Sequence, residues 1–180
     1  MPGPTETEVK LRLASPADAR ARLAAIGAVL VRERHFEDNV LFDDVSGSLR
    51  TGGTVLRLRE TGHGGALTFK GPRREAAGIK SREERETSVE EPEQVRAILE
   101  NLGYRQVFRY QKYRESWRHK GQEIEIDETP IGCFLEIEGD PAGIAAVASE
   151  LGFTPADYIA ESYVGLFVAA GGKGDMVFSS

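Results

Sequence analysis

The stretch Thr5-Glu6-Thr7-Glu8-Val9-Lys10-Leu11-Arg12-Leu13 alternates strictly in polarity, which is the pattern of a β-strand. One face carries the mostly apolar side chains Thr7, Val9, Leu11 and Leu13. The other face carries the charged side chains Glu6, Glu8, Lys10 and Arg12. The first face is typical of a strand that packs on a core. The second either meets bulk water or lines an enclosed site, and for one strand alone the solvated face is the commoner arrangement.

The same alternation recurs along the chain, and it places arginine and lysine on shared faces. Thr54 to Arg59 directs two leucines one way and Arg57 and Arg59 the other. Later strand-like runs place Lys70, Lys112 and Arg114, Asp127, and Glu136 and Glu138 on their polar faces. The run from Ser81 to Val89 is polar on both faces, so its inward side stays open at this point.

Three segments predict helices that flank these strands. They are residues 16–26, 92–102 and 141–151, each beginning at a proline and followed by a glycine. Ser162 to Ala170 also has apolar residues at helical spacing. Asp44 to Gly53 and Gly71 to Gly78 read as loops. About seven or eight strands interrupted by helices indicate an α+β fold with a mostly antiparallel sheet.

Length and composition indicate one ordinary globular domain. The 180 residues are 40% hydrophobic and 29% charged, and the net charge of −6 argues against a general nucleic-acid binder. We predict a single domain over residues 1–170 and a flexible C-terminal tail over residues 171–180, which hold three glycines. The single cysteine, Cys133, excludes an intramolecular disulfide and suggests a small packed residue. No apolar run predicts a signal peptide or membrane span, so cytoplasm and no membrane partner are expected.

The charged faces hold two complementary sets of side chains. Hard oxygen ligands suited to Mg²⁺ or Mn²⁺ are supplied by Glu6, Glu8, Asp127, Glu136 and Glu138. Cations suited to polyphosphate are supplied by Lys10, Arg57, Arg59, Lys70, Arg82, Lys112 and Arg114. No phosphate-binding P-loop or dinucleotide fingerprint occurs, no histidine has metal-ligand spacing, and no serine or cysteine lies in a recognisable nucleophile motif.

These motifs together resemble the CYTH superfamily of triphosphate tunnel metalloenzymes. The resemblance begins at Glu6-x-Glu8-x-Lys10 and spans nearly the whole chain to Leu166. Its further motifs are Phe42-Asp43, Leu56-Arg57-Leu58-Arg59, Leu67-Thr68-Phe69-Lys70-Gly71-Pro72, Arg82-x-Glu84-x-Glu86, Lys112-x-Arg114, Ile126-Asp127, Gly132-x-Phe134-Leu135-Glu136-Ile137-Glu138 and Ser162-Tyr163. Lys70-Gly71-Pro72 and Lys80-Ser81-Arg82 look most similar to the class IV adenylate cyclase-like branch. Glu37 and Asn39 depart from the Gln and Asp of many members.

The resemblance implies an eight-stranded antiparallel closed β-barrel, open as a tunnel, in which basic residues bind a triphosphate and acids hold Mg²⁺ or Mn²⁺. It also implies that Arg82, Glu84 and Glu86 face inward, the two glutamates in a supporting role. Candidate catalytic residues are Glu6, Glu8, Lys10, Arg59 and Lys112. A homodimer is suggested by the resemblance alone.

Phosphoryl transfer requires positioning and charge neutralisation more than a covalent nucleophile, which suits these residues. The first hypothesis is an adenylate cyclase-like enzyme that converts ATP to cyclic AMP and pyrophosphate. The alternatives are a triphosphatase, acting on inorganic, thiamine or nucleoside triphosphate, and a non-catalytic polyphosphate- or nucleotide-binding module. For the module the acids would be superfluous, because binding needs only the bases.

Overall fold

The computed structural model describes residues 4–76 and 78–179. Over these residues the strands are β1 Thr5–Leu13, β2 Val29–Asp43, β3 Val55–Thr61, β4 Gly64–Lys70, β5 Arg74–Ala76, β6 Ile79–Val89, β7 Arg105–His119, β8 Gln122–Thr129 and β9 Gly132–Glu138. The α-helices are α1 Pro16–Ala25, α2 Ser48–Thr51, α3 Pro92–Asn101, α4 Pro141–Glu150 and α5 Tyr163–Ala169, and a 3-10 helix covers Pro155–Asp157.

Eight of these strands close into an antiparallel barrel. The order around the wall is β1-β9-β8-β7-β2-β3-β4-β6, and β6 pairs back onto β1. Closure leaves the barrel strands with few free edges, which satisfies their backbone groups. The remaining strand, β5, lies outside the ring and pairs with the first residues of β6. The predicted α+β fold and eight-stranded barrel are therefore confirmed.

Helices cover the apolar outer faces of the wall. The outward side chains of β1, β8 and β9 pack with those of α1 and α4 in one cluster, in which Val9, Leu23 and Ile144 are fully buried. Burial of a side chain such as Leu23 contributes about 1.5–3 kcal/mol. A smaller cluster joins β2 and β3 to α3 through Leu58 and Leu99. Because the apolar alternate residues point outward to helices, the charged alternate residues point into the barrel.

The three predicted flanking helices are present, and each ends one residue before its predicted end. Ser15 caps α1 by accepting from the Asp18 N–H, and Asp140 caps α4 by accepting from the Gly143 N–H. The helix predicted from Ser162 begins at Tyr163. Among the described residues, no helix is both long and apolar enough to cross a membrane.

Two segments predicted as loops contain short regular elements. α2 lies within Asp44 to Gly53, where the Asp43 carboxylate accepts from the N–H groups of Leu49 and Arg50. β5 lies within Gly71 to Gly78, because the start of β6 leaves an edge free for pairing. Residue 77 of that segment lies outside the described residues.

The C-terminal segment, predicted to be a flexible tail from residue 171, lies against β7 in the structure. The Gln111 N–H donates to the Met176 carbonyl and the Met176 N–H donates to the Arg109 carbonyl, both at 2.9 Å. Met176 is fully buried. β7 pairs with β8 only from Tyr113 onward, so residues before Tyr113 keep an edge that this segment occupies. Residue 180 lies outside the described residues.

Candidate functional site

The barrel interior is a cavity of about 600 Å³, and most of the residues that line it are charged. The structure brings the predicted site residues together there. Those that line the cavity are Glu6, Glu8, Lys10, Arg57, Arg59, Lys70, Arg82, Glu84, Glu86, Lys112, Arg114, Glu136 and Glu138. Asp127, the remaining predicted residue, is fully buried beneath the lining. Glu6, Glu8 and Lys10 of the first strand therefore face an enclosed site, whereas Arg12 at the end of the same face is exposed.

The two arginines of β3 form one wall of the site. Arg57 donates to the Thr68 hydroxyl at 3.1 Å, and Arg59 donates to the Glu86 carboxylate at 3.0 Å. Burial opposes the charge on Arg57, but Tyr110, Glu37 and Glu84 around it raise its pKa above the ordinary value. The Arg57 guanidinium thus stays charged at any physiological pH, and an anion in the cavity can reach both arginines.

A second cationic group lies between β1 and β7. Lys112 donates to Asp127 at 2.9 Å, and Arg114 donates to both oxygens of the same carboxylate at 2.6 and 2.7 Å. Lys10 donates to Glu136 at 2.6 Å, and Arg114 reaches the other Glu136 oxygen at 2.7 Å. Although burial acts in the opposite direction, Lys10, Lys112 and Arg114 hold the pKa of Glu136 well below its usual range.

The acids at the β1, β6 and β9 side of the cavity repel one another. Glu138 has its pKa raised to about 7 by burial and by the neighbouring carboxylates, first Glu6 and then Glu8. Burial and a hydrogen bond with Glu84 also raise the pKa of Glu6, although Lys70 opposes this. Glu8 is paired with Lys80. This region therefore holds more negative charge than its lysines and arginines neutralise.

A divalent cation fits this excess of negative charge. Carboxylate oxygens are hard ligands of the kind that Mg²⁺ and Mn²⁺ prefer, and a bound cation would relieve the repulsion that raises the pKa of Glu138. Within residues 4–76 and 78–179, the acids, histidines and cysteine do not form a group of three arranged as metal ligands. The carboxylates of Glu6 and Glu8 are turned to lysines instead.

The predicted metal ligands thus have two different environments. Glu6, Glu8 and Glu138 lie together on the acidic side of the cavity. Asp127 and Glu136 have their oxygens on Lys10, Lys112 and Arg114. The sequence shows the residue types of both groups, but it does not show which carboxylate oxygens accept hydrogen bonds from lysine or arginine.

Sequence reasoning missed several residues of the site as site residues. Lys80 is buried and lines the cavity beside Glu8. Glu37 is buried and faces Arg59 at 3.4 Å and Lys112 at 3.6 Å. Tyr163, noted only as part of a motif, donates to Asp127 at 2.8 Å. Glu37, Asn39 and Leu41 are alternate residues on the inward face of β2, so strand alternation could have identified Glu37 as a site residue.

Comparison with known proteins identifies the family to which this chain is similar. The family model described as the CYTH domain matches residues 4–163. A putative adenylate cyclase from Methanocaldococcus jannaschii is 28% identical over 134 residues, which cover 74% of this chain and 75% of that protein.

Two solved structures share the fold. The X-ray structure of a putative adenylate cyclase from Vibrio parahaemolyticus has a TM-score of 0.80 at 22% identity, covering 92% of this chain and 99% of the other. A putative adenylyl cyclase from Hippeastrum, described as having a dominant triphosphatase activity, has a TM-score of 0.71 at 19% identity, covering 93% and 97%. The family model matches residues 4–163 of the 180 residues, and this chain therefore belongs to the CYTH domain family.

Proposed function

We propose that this protein is a divalent-metal-dependent enzyme that acts on an organic triphosphate, with cyclisation of ATP to cyclic AMP and pyrophosphate as its reaction. The observation that carries the proposal is the enclosed cavity, in which lysines and arginines from five strands converge beside a group of mutually repelling acids. Family membership and the names of the Methanocaldococcus and Vibrio proteins support the same proposal.

The phosphate chain is bound by the basic residues of the cavity. These are Lys10, Arg57, Arg59, Lys70, Arg82, Lys112 and Arg114. The guanidiniums offer paired N–H donors that match phosphate oxygens, while the lysines act as compact point charges. Because these groups are held by carboxylates before any substrate binds, they are preorganised to neutralise charge as it develops on the phosphate.

The acids divide into two roles. Glu6, Glu8 and Glu138 would hold Mg²⁺ or Mn²⁺, which when bound supplies charge neutralisation and polarises phosphate oxygens. Asp127 and Glu136 instead fix the directions of Lys10, Lys112 and Arg114 through hydrogen bonds. Glu84 and Glu86 fix Lys70 and Arg59 in the same way.

An organic group on the triphosphate has an apolar surface to contact. Leu41, Val55 and Val164 line the same cavity as the cations. In the proposed reaction the ribose 3′-hydroxyl oxygen attacks the α-phosphorus and gives up its proton to solvent. The bond from the α-phosphorus to the oxygen that bridges to the β-phosphorus breaks, and that oxygen leaves with pyrophosphate. The cations that hold the β- and γ-phosphates stabilise this leaving group, so the chain needs no covalent nucleophile.

Hydrolysis is the second candidate, and the Hippeastrum protein described as a dominant triphosphatase supports it. If water attacks the γ-phosphorus in the same cavity, the bond from that phosphorus to its bridging oxygen breaks, the diphosphate is the leaving group, and orthophosphate forms with no cyclic product. The same cations serve both reactions, which differ in the nucleophile and in the phosphorus that it attacks. A non-catalytic binding module would bind triphosphate without any product.

Product analysis tests the proposal. The purified protein is incubated with Mg²⁺ or Mn²⁺ and, in separate reactions, ATP, thiamine triphosphate or inorganic triphosphate, and the products are separated by anion exchange. Cyclic AMP with pyrophosphate is expected from ATP. Orthophosphate and ADP without cyclic AMP would select the triphosphatase. Tight binding without turnover would overturn the proposal that the protein is an enzyme. Glu8→Gln should abolish turnover with the fold kept, whereas Glu100→Gln at an exposed position of α3 is the matched control.

A further inference from the structure

Tyr163 touches the centre of the cationic group, although it carries no charge itself. It is the first residue of α5, where the Ser162 side chain accepts from the Gly165 N–H. Its hydroxyl donates to Asp127 at 2.8 Å. The Lys10 ammonium lies 4.2 Å from the centre of its ring, and the Lys112 ammonium lies 5.5 Å from it. One side chain thus contacts two cavity lysines and the carboxylate that holds one of them.

The contacts of Tyr163 extend to the other cations through shared carboxylates. Asp127 accepts from Lys112 and Arg114 as well as from the Tyr163 hydroxyl. Arg114 also donates to Glu136, which accepts from Lys10. A shift of the tyrosine would therefore disturb three cations at once, because their carboxylate partners are common.

The ring is itself fixed by packing. Phe134 meets it edge-on with ring centres 5.3 Å apart, and Tyr110 lies 6.4 Å away. Fully buried Met176, from the C-terminal segment along β7, belongs to the same cluster. A close-packed cluster of this kind restricts a side chain to one rotamer. The position of the ring is thus set by its packing against Phe134, Tyr110 and Met176, and of these three Tyr110 also lines the cavity.

We propose that Tyr163 is a positioning residue for phosphate binding, whose ring sets the places of the Lys10 and Lys112 ammonium groups and whose hydroxyl anchors Asp127. The proposal rests on the proposed function in that these lysines bind phosphate. An ammonium over an aromatic face is attracted by the ring quadrupole, more strongly when it is desolvated, as Lys10 and Lys112 are.

The hydroxyl keeps its proton under all ordinary conditions. Burial first, and then Asp127 and Glu136, raise the pKa of Tyr163 well above its usual value. The phenol therefore remains a donor to Asp127 and never adds a negative charge among the cations.

Two variants separate the hydroxyl from the ring. Tyr163→Phe removes the hydrogen bond to Asp127 and keeps the ring, whereas Tyr163→Leu removes both. Tyr104→Phe is the matched control, because Tyr104 packs in the α3 cluster away from the cavity. The affinity for inorganic triphosphate, measured by calorimetry, should fall about 10-fold in Tyr163→Phe and about 100-fold in Tyr163→Leu, and stay unchanged in the control.

A spectroscopic measurement makes the test independent of turnover and of triphosphate binding. In protein labelled with ¹³C-lysine, the ε-methylene protons of Lys10 should be shifted upfield by the ring current, relative to those of exposed Lys120. The shift should persist in Tyr163→Phe and vanish in Tyr163→Leu.

Wild-type affinity in both Tyr163 variants, or a Lys10 resonance that does not respond to loss of the ring, would overturn the proposal. If Tyr163→Leu does not fold, Tyr163→Phe alone decides through its affinity and its retained Lys10 shift. Should the wild type bind no triphosphate, the proposed function fails, and the Lys10 resonances still show whether the ring positions the ammonium group.

Discussion

Replacing Asp127 with asparagine tests whether this carboxylate holds lysine and arginine side chains or serves as a metal ligand. Asp127 is fully buried, and its two oxygens accept from Lys112, Arg114 and Tyr163. Asp127→Asn keeps the shape of the side chain, but it removes the charge that balances the ammonium and the guanidinium. We expect the metal-free protein to lose much of its stability.

The size of the loss follows from burial. Removing one partner of a buried ion pair costs about 3–5 kcal/mol, since the remaining charge stays desolvated. For a domain of this length each kcal/mol shifts the melting temperature by about 2–4 °C. The melting temperature should therefore fall by roughly 10 °C. The control is Asp18→Asn, whose ion pair with Arg22 is partly exposed and worth about 0.5 kcal/mol.

The assay is thermal and urea unfolding of both variants in the presence of a metal chelator. Asp127→Asn should be much less stable than the wild type, and Asp18→Asn nearly equal to it. If Asp127 were a ligand with free oxygens, its neutralisation would leave the stability of the metal-free protein unchanged or raise it. That result would refute the assignment of Asp127 to the cations.

Three further expectations follow from other parts of the molecule. Glu138→Gln should leave the metal-free protein at least as stable as the wild type, because it relieves repulsion with Glu6 and Glu8. The same variant should lose the stabilisation by Mg²⁺ in a thermal-shift titration. A retained Mg²⁺ response would contradict the proposed role of Glu138 as a metal ligand. Met176→Ala should cost about 2–5 kcal/mol in urea unfolding, against less than 1 kcal/mol for the more exposed Val177→Ala, and equal effects would contradict the docked C-terminal segment. Burial raises the pKa of Cys133 to about 11, so iodoacetamide should label the native thiol at pH 8 much more slowly than the urea-unfolded one, as followed by mass spectrometry; equal rates would contradict its burial.

Alternation in the sequence was sufficient to predict the inward face of most strands. Arg57 and Glu136 lie on the cavity because their apolar neighbours pack outward in the clusters with the helices. Closure into a barrel was not derivable from alternation, since a solvated sheet face has the same pattern. The family motifs supplied that step, and they also oriented Arg82, Glu84 and Glu86, which the polar pattern of β6 left open.

The pairing of charges inside the cavity could not be read from the sequence. Asp127 and Glu138 are both acids on inward faces, yet the first is saturated by cations and the second has its pKa raised to about 7. This difference depends on which strands are neighbours in the closed ring. The docked segment at Met176 escaped prediction for a related reason, because the edge that it covers exists only where β8 ends beside β7.

The central claim is that the lysines and arginines of the barrel interior form one enclosed site for a triphosphate chain. Calorimetric titration of the metal-free protein with inorganic triphosphate, pyrophosphate and orthophosphate tests it directly. We predict the tightest binding for triphosphate, weakened at least about 10-fold by Lys112→Gln and unaffected by Lys120→Gln at an exposed turn. Equal affinities for the three anions, or an equal effect of the two lysine substitutions, would contradict the claim.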